Sequence, residues 1–265
     1  MKQILYKEVI PAEELREYIL NYWYFEYTEQ TDGNESPPVL EHLVPPDACA
    51  SIVFMKNTEL KISRTFISVP TIKESKVSVP SGSVFIGIRI MPGIFRSLFL
   101  LELDQYHPNQ TENILDRLGL HAYAELDKIG GSLFEQLNQT ICQNVENKSI
   151  EIDSQIQTIV SQILDCRGNI KVRDIVDKYC INERTLQRKF SKSIGLSPSE
   201  FIRIRKVRAA IIDFVLNNKD YLSIAHDHGF SDQSHLIKEL RSITGETPST
   251  LKAYLSQIKH IGDIS

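Results

Sequence analysis

The chain is short of the features that mark several large protein classes. Its four cysteines, Cys49, Cys142, Cys166 and Cys180, are scattered with no CxxC pair among them. That spacing excludes a four-cysteine zinc site and gives no disulfide framework. No apolar run is long enough to span a bilayer and no secretory signal pattern opens the chain, so a reducing cytoplasm is the expected setting. There is one tryptophan in 265 residues. No strand-like segment carries a paired His-x-His of the kind that β-barrel metal sites use, and no cofactor is expected.

The most telling feature is a repeat. Phe190-Ser191-Lys192-Ser193-Ile194-Gly195-Leu196-Ser197-Pro198-Ser199 returns fifty positions later as Leu240-Arg241-Ser242-Ile243-Thr244-Gly245-Glu246-Thr247-Pro248-Ser249. The same offset pairs Leu186 with Leu236, Arg188 with Lys238 and Asn182 with Asp232. A fixed offset marks a duplicated supersecondary unit. Each copy reads as a short helix, a tight turn and a second helix ending at Gly. In the first, 171–193, Val172, Ile175, Val176 and Tyr179 form the apolar face of a supporting helix. Asn182 caps the next helix, because its side-chain oxygen can accept a free first-turn N–H. Leu186 and Phe190 face the core, while Arg184, Gln187, Arg188 and Ser191 share the opposite face. Arg and Gln at such positions can pair bidentately with guanine and adenine.

In the second copy, 222–242, Leu222, Ile224, Ala225 and His228 form the supporting helix. Leu236 and Leu240 turn inward there, and Gln233, Ser234, Ile237 and Lys238 turn outward. Between the copies, Ser197-Pro198-Ser199-Glu200 is a capping box with Pro at the first helical position. It predicts a stiff helix to Leu216, stopping at Asn217-Asn218. About 19 residues at 1.5 Å each make a rod of roughly 28 Å, against a spacing of about 34 Å between successive major grooves. Arg203, Arg205, Lys206 and Arg208 on this helix are candidate phosphate contacts.

The segment from about Ile156 to Leu255 resembles the DNA-binding domain of AraC/XylS-type bacterial transcription regulators. The resemblance rests on the two Gly-containing caps and on Ile224-Ala225…Gly229-Phe230-Ser231-Asp232. It implies two recognition helices in adjacent major grooves, with base contacts at Arg184, Gln187 and Arg188, and at Gln233, Ser234, Ile237 and Lys238. It also implies double-stranded DNA and RNA polymerase as partners. The sequence departs from the family pattern at Val176, Cys180, Asn182 and Leu240, where Ala, Gly, Ser and Phe are usual. Charge agrees with this division. The whole chain is −4, but residues 171–210 hold 11 basic and 4 acidic side chains, whereas residues 1–150 hold 13 and 20. One half is built to meet phosphate.

The fold class that follows is α+β: a β-rich N-terminal domain, barrel or sandwich, and an all-α tandem helix-turn-helix C-terminal domain. The division is residues 1–128, a helical or linker region 129–155, and the DNA-binding domain 156–257. Segments 22–27, 50–55, 60–63, 65–69 and 83–90 read as strands, bounded by turn residues. Glu13 to Asn21 and Gly93 to Leu101 read as helical. Trp23, Pro46-Asp47 and the run from Gly87 to Gly93 resemble an N-terminal domain of some AraC-type regulators, which implies a cupin-like effector pocket. Trp23, Tyr24 and Arg89 are its candidate residues, and Arg89 is either an anion ligand or a cation on a strand's solvent face. His42 beside Glu41 and Asp47 invites a metal reading, but the missing His-x-His argues against one. His226 and His228, two apart on a helix, point to different faces. Leu133, Leu137 and Ile141 form a stripe that packs on the barrel or pairs with a second subunit in a homodimer. Two control mechanisms stay open, an unknown small-molecule effector or a partner protein. An enzyme with a DNA-binding appendage would need a convergent His/Glu/Asp cluster that cannot be assembled here.

Overall fold

The computed structural model describes residues 2–30, 36–121, 133–146, 148, 150–215, 217 and 219–260. Eight strands lie almost wholly in the first 90 residues: β1 (Lys2–Val9), β2 (Ile19–Glu29), β3 (Val39–Val44), β4 (Ser51–Asn57), β5 (Ile62–Ser68), β6 (Ser75–Pro80), β7 (Ser83–Ile90) and β8 (Lys259–His260). Six form one sheet in the order β5-β4-β7-β2-β1-β8, and β3 with β6 forms a separate two-stranded ribbon. All pairings are antiparallel except β1 with β8, which is parallel. The last strand returns from the far end of the chain to the edge of the first sheet.

Alternation along the strands divides the large sheet into two faces. Tyr22, Ile52, Phe54, Ile86 and Ile88 point to one, where they pack under α1 (Phe95–Phe99), α2 (Thr111–Leu118) and α3 (Leu133–Val145). Phe25 and Tyr27 point to the other, toward Leu40 and Val79 of the ribbon. Leu133, Leu137 and Ile141 are buried in the first of these cores, so the predicted stripe packs within the subunit. Asn138 Oδ1, from the same helix, accepts from Tyr22 Oη at 2.8 Å and from Ala12 N at 3.1 Å.

The segment Glu13 to Asn21 is not a helix. Only a 3-10 turn, Glu13–Leu15, forms before β2 begins at Ile19. Aromatic and β-branched residues from Ile19 onward pair along β7, with a bulge between Ile19 and Asn21. Segments 60–63 and 65–69 are one strand, entered through Lys61 at φ 53. The proposed boundary at 128/129 and the helix end at Leu216 with Asn218 lie outside the described residues.

The C-terminal half is helical: α4 (Ser154–Asp165), α5 (Val172–Tyr179), α6 (Glu183–Ile194), α7 (Pro198–Val215), α8 (Tyr221–Asp227), α9 (Gln233–Thr244) and α10 (Pro248–Leu255). One core spans both helix-turn-helix units, with Ile175, Leu186, Phe190, Phe201, Ile224, Leu236 and Leu240 at most 1% exposed. Phe190 and Phe201 meet edge to face at 5.9 Å. Truncating such a ring costs about 3–5 kcal/mol. The repeated sequence is repeated geometry: Gly195 at φ 80 ends α6 and Gly245 at φ 66 ends α9, a left-handed cap that favours Gly.

Candidate functional site

The two recognition helices start from side-chain caps. Asn182 Oδ1 accepts from Arg184 N at 2.9 Å, and Asp232 Oδ1 accepts from His235 N at 2.7 Å. Burying Leu186, Phe190 and Ile194 on one face of α6 leaves Arg184, Gln187, Arg188 and Ser191 exposed on the other. On α9, Gln233, Ser234 and Lys238 are exposed and Ile237 is half-buried. The linker helix is capped as its sequence predicts, with Ser197 N donating to Glu200 Oε2 at 2.8 Å and Glu200 N donating to Ser197 Oγ at 3.2 Å. Leu222, read as part of an inward face, is 72% exposed. His228 is buried against Asp213, whose Oδ2 lies 3.0 Å from its Nε2, whereas His226 is exposed.

The four candidate phosphate cations on α7 each make contacts within the protein. Arg203 pairs with Glu239 and donates to Ser242, bracing α7 against the second recognition helix. Lys206 Nζ sits 5.4 Å from the centre of the Phe230 ring and 3.4 Å from Gly229 O, in the turn of the second unit. Burial lowers its pKa. Arg205 and Arg208 face the N-terminal domain: Arg205 Nη1 donates to Asp47 O at 3.3 Å, and Arg208 Nη2 donates to Glu8 Oε1 at 3.0 Å. The reason is geometric, since successive residues of a helix point about 100° apart. A dense run of cations must therefore distribute itself around the rod.

Those two arginines join a buried charge cluster at the seam between the domains. Arg89 Nη1 donates to Glu8 Oε1 at 3.0 Å and to Asn21 Oδ1 at 2.9 Å, and Arg89 Nε lies 2.7 Å from Asp47 Oδ2. Arg89 is thus neither on a solvent face nor empty-handed. Burial alone would raise the pKa of Glu8, but the guanidiniums of Arg89 and Arg208 outweigh it and hold the carboxyl at about 2. Tyr6, which donates to Glu8 at 2.6 Å, is pushed up to about 12, chiefly by burial.

Beside this cluster lies a cavity of about 400 Å³. Its walls come from three places: the second face of the large sheet with Trp23, Phe25, Val53 and Phe85; the ribbon with His42, Val77 and Val79; and the DNA-binding half with Arg208, Ile211, Ile212 and Val215 of α7 and Leu255, Ile258 and His260 beyond it. Arg89 and Asp47 form its charged end. Of the three candidate pocket residues, Trp23 and Arg89 line it. Tyr24, one step along β2, faces the opposite core and donates to Glu26 at 2.6 Å. Gly87 lets the indole lie flat on the sheet, since a Cβ there would meet Trp23 Cε2 at 1.9 Å. The α7 and C-terminal wall was not foreseen. Its only sequence signal is the apolar pair Ile211-Ile212 on a helix otherwise rich in cations.

His42 does not gather ligands. Its Nδ1 contacts Tyr254 Oη, and burial lowers its pKa to about 4. Among the described residues no group of three or more His, Cys, Asp or Glu could hold a metal ion, and the four cysteines are free.

The two units on a shared helix define a tandem helix-turn-helix DNA-binding fold carried by a chain with a β-rich first domain. Residues 175–254 match a helix-turn-helix domain model, and residues 7–112 match a domain of unknown function, DUF6597. The chain is 27% identical over 124 residues to a XylDLEGF operon transcriptional activator of Pseudomonas putida, covering 46% of this chain and 38% of that protein. It is 29% identical over 86 residues to the regulatory protein HrpB of Ralstonia nicotianae, covering 31% and 18%. The chain therefore spans less than two-fifths of the length of these relatives. Among solved structures, ToxT from Vibrio cholerae aligns over 97% of both chains at 14% identity, with a TM-score of 0.42. The helix-turn-helix match and the similarity to the XylDLEGF activator support the resemblance of the C-terminal half to AraC/XylS-type transcription regulators.

Proposed function

We propose that the chain is a sequence-specific DNA-binding regulator of transcription, controlled by a small-molecule effector held between its two domains. The observation that carries the DNA reading is the exposed face of α6, where Arg184, Gln187 and Arg188 stand clear of every core contact. Gln233, Ser234, Ile237 and Lys238 supply a second, less basic reading face. Contact with RNA polymerase would convert binding into a change in transcription, in the bacterial cytoplasm. No described helix is long and apolar enough to cross a membrane.

A concave, largely apolar space favours a small ligand over a partner protein, which would need a broad exposed patch. A homodimer would have to use some surface other than Leu133, Leu137 and Ile141, which are buried. The test of the DNA reading is selection from a random duplex pool by the full chain, followed by footprinting of the winners. Enrichment of one motif contacted in two successive major grooves is the expected result. A pool that stays random, with affinity set only by salt, would overturn it.

A further inference from the structure

We propose that Gly168, in the loop between α4 and α5, sets the register of the two DNA-reading units and with it the half-site spacing that the protein accepts. The inference rests on the tandem reading of DNA proposed above and assigns the residue that enforces it.

Three elements meet at this loop. Gly168 is buried and lies against the backbone of α7: a Cβ there would meet Ile202 O and Lys206 N at 2.5 Å, and Lys206 Cα at 3.0 Å. Only a residue without a side chain lets the first unit come so close to the connecting helix. The next residue, Asn169, reaches the second unit. Its Oδ1 stands 2.4 Å from where a Cβ of Gly229 would be, in the turn between α8 and α9. Lys206 closes the third side, its backbone against Gly168 and its Nζ 3.4 Å from Gly229 O, over the Phe230 ring. One turn of α7, Ile202 to Lys206, therefore carries the first unit on its backbone and the second on a side chain.

The loop itself is firmly tied. Gly168 N donates to Ile163 O at 2.9 Å and Arg167 N donates to Leu164 O at 3.0 Å, which fixes it to the end of α4. Ile163 is fully buried in the core that both units share. Arg167 is left-handed at φ 51, next to Gly168 at φ 74. An L residue keeps such a backbone where its surroundings over-determine it. Against so fixed a loop, a methyl added at 168 displaces α7, and the second unit travels with it.

Successive base pairs differ by about 3.4 Å along the DNA axis and by about a tenth of a turn. Two reading helices on one joint match their grooves at one spacing, so a displaced joint weakens full-site binding without touching a residue that reads a base. The ordinary alternative is that Gly168 only ends a helix. Gly195 is the control for that reading: it also ends a helix, at φ 80, but a Cβ there meets Leu103 Cβ at 3.6 Å, ordinary van der Waals contact.

The test compares Gly168→Ala with Gly195→Ala in the full chain, on a duplex selected by the unaltered protein. Each is titrated with that site, with its second half scrambled, and with one base pair added between the halves. Gly168→Ala should lose several-fold of the preference for the intact site over the other two. Its affinity for the scrambled site and its base preference in the first half should not change. Gly195→Ala should keep the preference, although both variants melt at lower temperature. A preference retained in Gly168→Ala, or lost equally in both, would overturn the assignment and leave Gly168 a helix cap. Should Gly168→Ala fail to fold, Lys206→Met reads the same joint, because it keeps the stem on Phe230 and loses the ammonium beside Gly229 O. It too should flatten the preference, and an unchanged preference there would overturn the proposal. If the unaltered protein binds the intact and scrambled sites alike, tandem reading fails and the role of Gly168 falls with it.

Discussion

Arg208, on the helix that joins the two DNA-reading units, donates to Glu8 on the first strand of the chain across 200 residues of sequence. Glu8 also accepts from Arg89, so this one carboxylate ties the DNA-binding half to the sheet that walls the cavity. Glu8→Gln keeps the shape and removes the charge. It leaves two buried guanidiniums undercompensated, and removing one partner of such a pair costs about 3–5 kcal/mol. Urea unfolding at neutral pH should show the loss.

The pH dependence follows from the same carboxylate. Its folded pKa of about 2 lies below the ordinary value of 4.5. The stabilisation is complete above pH 4.5 and is lost as pH falls through that window toward 2. Glu8→Gln should flatten stability between these limits. An equally steep decline in the variant would assign the acid sensitivity to other groups.

Why the seam escaped a reading of the sequence is plain from these residues. Arg205 and Arg208 look like phosphate ligands because their neighbours on α7 are basic, while their partners, Asp47 and Glu8, lie 158 and 200 positions away. Only the folded chain puts them together. By contrast, the helix-turn-helix units were legible, because each cap, turn and core pair is local and occurs twice. The first domain falls between. Strands such as β2 and β7 carry long β-branched and aromatic runs, whereas β6 (Ser75–Pro80) is mostly polar and exposed, and β8 is two residues long. Their pairing is dictated by register with distant partners, not by their own composition.

Cys180 occupies the turn between α5 and α6 with φ 48, a left-handed conformation that costs an L residue about 1–2 kcal/mol and glycine much less. Gly is the usual residue there in the family that the sequence resembles. Cys180→Gly should stabilise the chain by up to about 1 kcal/mol, because glycine's larger unfolded-state entropy returns part of the relief. A thermal melt checks the direction. A lower melting temperature would mean that the Cys180 side chain contributes packing that outweighs the strained backbone.

Arg188 and Lys206 should separate base reading from internal bracing. Arg188→Ala removes a free guanidinium from the exposed face of α6, and should cost about 1–3 kcal/mol of specific affinity and relax preference at one base position. Its melting temperature without DNA should not move. Lys206→Ala removes a cation that rests on Phe230 and Gly229, so it should lower the melting temperature of the free protein. If instead its only effect were a shallower salt dependence of DNA binding, Lys206 would be a phosphate contact that leaves Phe230 when DNA arrives.

The last expectation concerns spacing. α7 runs unbroken from Pro198 to Val215, eighteen residues or about 27 Å. Arg203 fixes it to Glu239 and Ser242 of α9, while Phe201 fixes it to Phe190 of α6. With both recognition helices pinned to one rod, neither can turn independently to follow its groove. A single chain should therefore protect about 20 base pairs, with two major-groove contacts one helical turn apart on the same face. Inserting five base pairs between the contacts rotates one by about half a turn of B-DNA and should drop binding toward the non-specific level. Inserting a full turn, about ten base pairs, restores the face but lengthens the gap by about 34 Å, beyond what a rigid rod can span, so affinity should stay low. Recovery with the full-turn insertion would show that the rod is not rigid and that the two units move apart on DNA. Unchanged affinity with the half-turn insertion would show that only one unit enters a groove.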